Sequence, residues 1–325
     1  MDYTSKEIDY ELLPFIRVYK DGSVDRLAGF SGIVPPLLED PVTGVSTKDV
    51  KISQDPPISA RLYLPKLTDP QKKIPIFVYF HGGGFCIESA FSFTETSYLK
   101  SLVSQAEVVA VSVEYRLAPE HPLPIAYEDS WAALQWVASH SVGNGKDKDP
   151  WILNHGDFGR VFIGGDSSGA NIGHNIGMRA GSENLPGGVR LLGALFTHTY
   201  IWGSDQIGSE SRSYLESLLP HKIWVTLYPS AVGGIDNPMI NPLAPGAPSL
   251  AGFACTRLLL EVAEHDSFLL RDRGVLYHNA IKESGWKGDV ELIEVKGEDH
   301  AFHILEPEKE SSKILIKRLA SFLRL

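Results

Sequence analysis

The string Gly165-Asp166-Ser167-Ser168-Gly169 constrains this chain more than any other, because of what stands on either side of it. Arg160-Val161-Phe162-Ile163-Gly164 reads as a short buried strand, and Ala170-Asn171-Ile172-Gly173-His174-Asn175-Ile176 reads as a helix. Ser167 therefore sits on a strand-to-helix turn, so tight that only very small residues fit two positions before and two after it. Gly165 and Gly169 occupy those positions. The hydroxyl is expected to point out over the sheet edge, at the start of a helix whose free N–H groups favour negative charge. A chance Gly-x-Ser-x-Gly is common in a chain with 30 glycines. The flanking strand and helix set this one apart.

A second string, His81-Gly82-Gly83-Gly84-Phe85, follows the apolar run Ile74-Pro75-Ile76-Phe77-Val78-Tyr79-Phe80, which suits a central strand. Three glycines at a strand end expose backbone N–H groups that no side chain covers. A mere flexible turn does not require Phe85 and Cys86 at once afterwards, nor a serine-bearing elbow downstream. The expected oxyanion donors are the N–H groups of Gly83 and Gly84, with that of Ser168 as the third. Gly82 shapes the turn, and His81 orients the glycine loop through its ring N–H. Such a cup and an exposed serine are what acyl transfer must hold about 3 Å from one carbonyl.

A serine hydroxyl needs a base, and the base needs an acid to hold it. Asp289-Val290-Glu291-Leu292-Ile293-Glu294-Val295 alternates as a strand does, and His300 lies in the loop that leaves it. Arg257–Ala263 reads as another strand, with Asp266 in its exit loop. Both residues then stand at C-terminal strand ends, where α/β sheets collect catalytic groups. His300 is the expected base and Asp266 the expected acid. His303 and His265 are rival bases; Glu264 and Asp272 are rival acids, Asp272 reading more as the start of a helix with ordinary surface pairing.

These motifs resemble those of the plant carboxylesterase family within the hormone-sensitive-lipase-like α/β-hydrolases. The resemblance extends through Val18–Val24, Glu114–Glu120, Ala126–Asp129 and Asn237–Pro242, and covers nearly the whole chain. It is especially similar to the 2-hydroxyisoflavanone dehydratase-like carboxylesterases, through Ser5–Ile8, Thr43–Asp49 and Glu283–Gly288. Cyclase-like hydrolases of alkaloid pathways are also similar. The resemblance implies an α/β-hydrolase fold, a Ser167-His300-Asp266 triad and a serine carboxylesterase acting on an ester of plant specialised metabolism. Dehydration of a 2-hydroxyisoflavanone, or hydrolysis of an alkaloid ester intermediate, is the alternative.

One departure bears on the choice. The similar dehydratases carry threonine at the nucleophile and often alanine as the last residue of the His-Gly-Gly-x string, where this chain has Ser167 and Gly84. A threonine methyl crowds attack on a carbonyl, so serine favours ester cleavage. Dehydration remains chemically open, since proton removal beside a ketone and stabilisation of the enolate use the same base and the same N–H cup. Gibberellin receptors of the family lack the histidine, so His300 argues against a receptor.

At 325 residues and 43% hydrophobic content, one α/β domain over 1–325 with a cap from about 1–40 and 200–250 is expected. Its sheet should be mostly parallel and flanked by helices. Strands are expected near 50–53, 59–65, 74–80, 107–114, 160–165, 190–199, 257–263 and 289–295, with a hairpin near 16–28. Helices are expected near 92–105, 124–140, 168–181, 270–285 and 308–323, the last burying Ile314, Leu315, Leu319 and Phe322. Residues 141–150 read as a polar loop. In the cap, Trp202, Tyr214, Leu218, Leu219, Trp224 and Tyr228 either roof a pocket for a hydrophobic or aromatic small molecule or pack the cap onto the sheet.

A net charge of −10 gives no support to nucleic-acid binding. Two cysteines, Cys86 and Cys255, are too few for a disulfide framework. The polar start and the absence of any run of 18 or so apolar residues point away from a membrane and towards a cytoplasmic protein. A monomer or homodimer needing neither cofactor nor metal is expected.

Overall fold

The computed structural model describes residues 6–29, 31–143, 145, 148–208, 210 and 212–324, with backbone alone at 212–214. The chain begins with a small antiparallel sheet of three strands, β1 (Ile8–Leu12), β2 (Ile16–Tyr19) and β3 (Val24–Arg26). The expected hairpin near 16–28 is thus its second half; β1 adds a strand not among those expected, although Ile8-Asp9-Tyr10-Glu11-Leu12 alternates apolar and polar residues as a strand does.

Eight strands form the main sheet: β4 (Ser46–Gln54), β5 (Pro57–Leu64), β6 (Ile74–Phe80), β7 (Val109–Glu114), β8 (Gly156–Asp166), β9 (Leu191–Thr197), β10 (Arg257–Ala263) and β11 (Asp289–Val295). Their order is β11-β10-β9-β8-β6-β7-β5-β4. Pairing is parallel from β11 to β7 and antiparallel from β7 through β5 to β4. The helices are α1 (Phe93–Ala106), α2 (Ile125–Ser139), α3 (Pro150–His155), α4 (Ser168–Ser182), α5 (Leu219–Leu227), α6 (Leu270–Glu283), α7 (Phe302–Leu305) and α8 (Glu310–Arg324).

The run Ile74–Phe80 explains the layering. Every residue of β6 is buried, as a strand covered on both faces requires. Alternation then divides its side chains between two cores. Ile76, Val78 and Phe80 join the core that includes α2 and α4, whereas Phe77 and Tyr79 join the one that includes α1 and α8.

Local differences from the sequence expectations have plain causes. Ile314 is 60% exposed, and the buried stripe of α8 is Leu315, Ile316, Leu319, Phe322 and Leu323. Residue 314 lies about 100° around the helix from 315, just off the edge of that stripe. The polar loop near 141–150 ends in α3, whose first turn is capped by Asp149 accepting from Trp151 N. The 200–250 stretch is not wholly irregular either, since it holds α5 with Pro220 in its first turn. No helix among the described residues is long and apolar enough to cross a membrane.

One buried cation fastens the N-terminal segment to the sheet. Arg61 on β5 is fully buried. Its guanidinium donates to both oxygens of Asp49 on β4 at 2.7 and 2.9 Å, to Thr96 Oγ1 on α1 at 3.0 Å, and to the carbonyl of Val34 at 2.8 Å. A planar fork suits this four-way junction as no ammonium does. Arg61→Met keeps an unbranched apolar stem but loses every donor. It should lower the free energy of unfolding by about 1.5–3 kcal/mol, read from the urea midpoint; an unchanged midpoint would remove the junction's role.

Candidate active site

The register of the parallel strands brings their C-terminal ends level. Phe80 on β6 pairs with Gly165 on β8, so the loops holding Gly82–Gly84 and Ser167 emerge side by side. Ala263 on β10 pairs with Val295 on β11, so the exit loops of those strands, with Asp266 and His300, also emerge together. Residues far apart along the chain meet because four adjacent or near-adjacent strands end on one line.

Ser167 has φ 52° and ψ −117°, a left-handed conformation unusual for a residue with a side chain. Its neighbours over-determine it. Its N–H donates to Thr197 O at 2.9 Å, and its carbonyl accepts from Asn171 N and Tyr200 N, each at 3.1 Å. A Cβ at Gly169 would stand 1.9 Å from the carbonyl oxygen of Phe80, and one at Gly165 would stand 2.2 Å from the same atom. The two small residues are needed because helix α4 begins against the end of β6.

Beside the elbow, Gly83 and Gly84 take φ of 92° and 59°. The Gly83 carbonyl accepts from Cys86 N and Ile87 N, closing the loop on itself. His81 lies buried beneath, stacked on Tyr115 at 4.2 Å between ring centres. Its Nδ1–H donates to Gly82 O at 2.9 Å, as a loop-orienting role requires. Burial pushes its pKa down to about 4, so it is neutral at pH 7. Phe85 N donates to Ser168 Oγ at 3.3 Å, a direct tie between glycine loop and helix start. Cys86 is buried, which pushes its thiol up to about 12 and leaves it unreactive.

Across the cavity, His300 Nδ1 donates to Asp266 Oδ2 at 2.8 Å. Asp266 Oδ1 accepts from Phe268 N at 2.9 Å. Burial pushes this carboxyl up, but the His300 charge, the His300 hydrogen bond and the nearby His198 ring outweigh it and hold it well below the usual carboxylate range. Asp266 is therefore ionised at neutral pH. Asp299 Oδ1 ties the two loops together by accepting from His300 N at 2.6 Å and Ser267 N at 2.7 Å. Phe268 meets the His300 ring edge-on at 4.7 Å.

Ser167, His300, Gly83 and Gly84 line one cavity of about 340 Å³, whose apolar walls include Phe15, Ile87, Phe268, Ile304 and Leu305. A narrow recess beside it adds Tyr200, Pro220 and Ile223. No direct hydrogen bond joins Ser167 Oγ to His300 among the described residues; the two face each other across shared space. Of the aromatic set expected either to roof a pocket or to pack the cap onto the sheet, Trp202, Trp224 and Tyr228 are absent from these walls. Trp202 is buried against the Arg273 guanidinium at 4.0 Å, and Trp224 donates to Gly234 O at 2.9 Å, so they pack the 200–250 segment instead. The Tyr214 side chain, like Ser5 and the rest of residues 1–5, lies outside the described residues.

The rivals take other places. His303 is buried against Tyr98, and His265 is exposed beside a different cavity. Glu264 pairs with Lys296, and Asp272 pairs with Arg271 in the first turn of α6.

A group of acids on the cavity's far wall escaped the sequence reading. Tyr79 OH lies 2.8 Å from Asp166 Oδ1 and 3.0 Å from Glu95 Oε2. A hydroxyl has one proton to give, so one of the two bonds must come from a protonated carboxyl. Burial pushes Glu95 well up, which makes it that group. Burial also raises Glu88, to about 7, against the opposing hydrogen bond of Ser92. The only sequence signal was the alternation of β6, which turns Tyr79 away from Phe80; nothing linked it to Glu95 or Asp166.

The family profile described as "alpha/beta hydrolase fold" matches residues 77–304. A 2-hydroxyisoflavanone dehydratase of Glycyrrhiza echinata is 59% identical, over 98% of this chain and 97% of its own. A probable carboxylesterase 2 of Arabidopsis thaliana is 42% identical, over 99% and 98%. The solved structure of a hyperthermophilic esterase from the archaeon Pyrobaculum calidifontis superposes with a TM-score of 0.66 at 26% identity, covering 86% of this chain and 85% of that one.

The elbow geometry generates a direct expectation. Gly169→Ala should cost about 1–3 kcal/mol or more by overpacking against the Phe80 carbonyl and displace Ser167 with it. A guanidinium midpoint equal to that of the unaltered protein would contradict the close approach.

Proposed function

The chain belongs to the α/β-hydrolase family, and from that premise we propose that it is a serine carboxylesterase acting on a medium-sized hydrophobic or aromatic ester. The observation that carries this reading is the 2.8 Å His300–Asp266 pair opening onto the same cavity as Ser167. With Nδ1–H committed to Asp266, the other ring nitrogen of His300 is free to accept a proton.

In this mechanism His300 takes the hydroxyl proton as Ser167 Oγ attacks the ester carbonyl. The developing oxyanion is held by the N–H groups of Gly83, Gly84 and Ser168, whose strand-end and helix-start positions leave them without intrahelical acceptors. Asp266, ionised beside the ring, stabilises the imidazolium. His300 then gives its proton to the leaving alcohol, and water repeats the sequence on the acyl-enzyme with His300 again as base. The N-terminal segment through Phe15 and the 200–250 segment through Tyr200, Pro220 and Ile223 act as the cap that bounds the acyl and alcohol groups.

A second reading is favoured by one observation, the 59% identity to a protein named 2-hydroxyisoflavanone dehydratase. In it, His300 removes the proton next to the ketone, the same N–H cup holds the enolate oxygen, and as the enolate collapses the C–O bond breaks and protonated His300 returns its proton to the departing hydroxyl, which leaves as water. The serine at 167 weighs towards ester cleavage.

Ser167→Ala should reduce turnover of p-nitrophenyl butyrate by on the order of 10⁶-fold and abolish covalent labelling by a fluorophosphonate. Labelling that persists at another residue overturns the assignment. Isoflavone formation from a 2-hydroxyisoflavanone by the unaltered protein decides the second reading, which fails if no isoflavone is produced.

A further inference from the structure

Behind Asp266, on the side away from the cavity, lie buried ionisable groups that the mechanism above does not use. His198 directly follows β9, Glu261 belongs to β10, and both are fully buried. His198 Nδ1 stands 3.6 Å from Asp266 Oδ2, and its Nε2 stands 3.3 Å from Glu261 Oε2. The ring is wedged in place. It lies 4.9 Å from His300, 5.4 Å from His303 in a stacked arrangement and 6.0 Å from Phe302, centre to centre. The residue's own backbone has a positive φ of 49°, and its N–H donates to Glu261 O at 3.0 Å.

Asp266 is ionised, and its Oδ2 already accepts from His300, so a second neighbour of that oxygen must also be a donor. Burial lowers His198 to about 4, so at neutral pH it has one ring proton. Facing a carboxylate, that proton belongs on Nδ1. Nε2 is then an acceptor, and it faces Glu261, whose carboxyl burial and the charge of Asp266 keep protonated. Glu261, His198 and Asp266 thus form a one-way series in which each neutral group has one proton to give towards the next. Both separations exceed the roughly 2.9 Å of a formed N–H···O bond by less than about 1 Å.

We propose that His198, held from behind by Glu261, is a positioning residue that donates its Nδ1–H to Asp266 Oδ2 and so fixes the carboxylate that orients His300. The proposal rests on the triad reading above. His198 touches neither cavity nor substrate. It acts by keeping Asp266 from rotating and by drawing off part of its basicity, as groups behind a working side chain commonly do. The other ionisable groups around it are Asp299 from the loop after β11, His303 from α7, and Tyr98 from α1, which packs on His303 at 5.2 Å.

The sign of the effect follows. Without the His198 donor, Asp266 is the stronger base, it holds protonated His300 more tightly, and more alkaline conditions are needed to free the imidazole. His198→Phe should therefore move the acid limb of the fluorophosphonate labelling rate of Ser167 to higher pH and lower its maximum roughly tenfold. His198→Asn, which keeps an amide N–H near the place of Nδ1, should recover most of that loss. The low-field proton resonance of His300 Nδ1–H, which needs no substrate, should titrate at higher pH in the Phe variant and return towards the original value in the Asn variant. Should His198→Phe not fold, Glu261→Leu against Glu261→Gln makes the same comparison from the other end. Unchanged pH limbs and resonances in the folded variants overturn the proposal, and so does an Asn variant as impaired as Phe. Absence of any labelling in the unaltered protein would sink the esterase reading instead, while the resonance still decides the role of His198.

Discussion

Everything at the site depends on one close approach, that of helix α4 to the end of β6. Gly165 and Gly169 both crowd the Phe80 carbonyl, and any side chain at either would be driven into it. This contact bends the chain sharply enough to force Ser167 into a left-handed conformation. It also sets the glycine loop, which begins one residue after Phe80, beside the first turn of α4. Ser167 and the amides proposed to serve it are thereby placed by a single steric constraint, before any hydrogen bond between them is counted. The backbone strain at Ser167 persists because three backbone hydrogen bonds and the sheet itself hold it.

The opposite half of the site is built from charge. Asp266 receives a ring N–H from His300 and a backbone N–H from Phe268, and it lies buried where such contacts are screened little. Asp299 joins the loops after β10 and β11 through two backbone N–H groups, which ties the His300 loop to the Asp266 loop. Steric placement of the serine and electrostatic placement of the histidine are separate devices. They meet only across the cavity, which is consistent with the lack of a direct Ser167–His300 bond among the described residues. Catalytic hydrogen bonds often tighten only when substrate fills such a gap.

Much of this was legible in the sequence, because its causes are local. Gly165 and Gly169 flank Ser167 between a strand and a helix, and the apolar runs before His81, Glu264 and Lys296 announce three strands that end at the same level. What the sequence concealed depends on pairing between strands that are far apart in it. Nothing around Tyr79 marks Glu95 and Asp166 as its partners, and nothing around His198 marks Glu261 and Asp266. The aromatic residues of the 200–250 segment illustrate the same limit: composition could not say that Trp202 would stack on Arg273 while Tyr200 and Ile223 faced the recess beside Ser167. Ile314 shows how small the margin is, since one residue step on a helix carries a side chain from core to solvent.

The distribution of ionised and neutral carboxyls completes the logic of the hydrolase reading. An oxyanion cradle gains from N–H dipoles only if no fixed negative charge opposes them at close range. Yet Glu88, Glu95 and Asp166 all line the cavity that Gly83 and Gly84 also line. Burial eases the conflict by raising all three, and the Tyr79 hydroxyl joins a protonated Glu95 to Asp166. Behind His300, burial alone would likewise push Asp266 towards neutrality, but two imidazoles reverse it. The negative charge is thus kept in full where it would steady an imidazolium and reduced where it would repel an oxyanion. The same side-chain type serves both ends because its surroundings, burial at one and two histidines at the other, decide whether it keeps its proton.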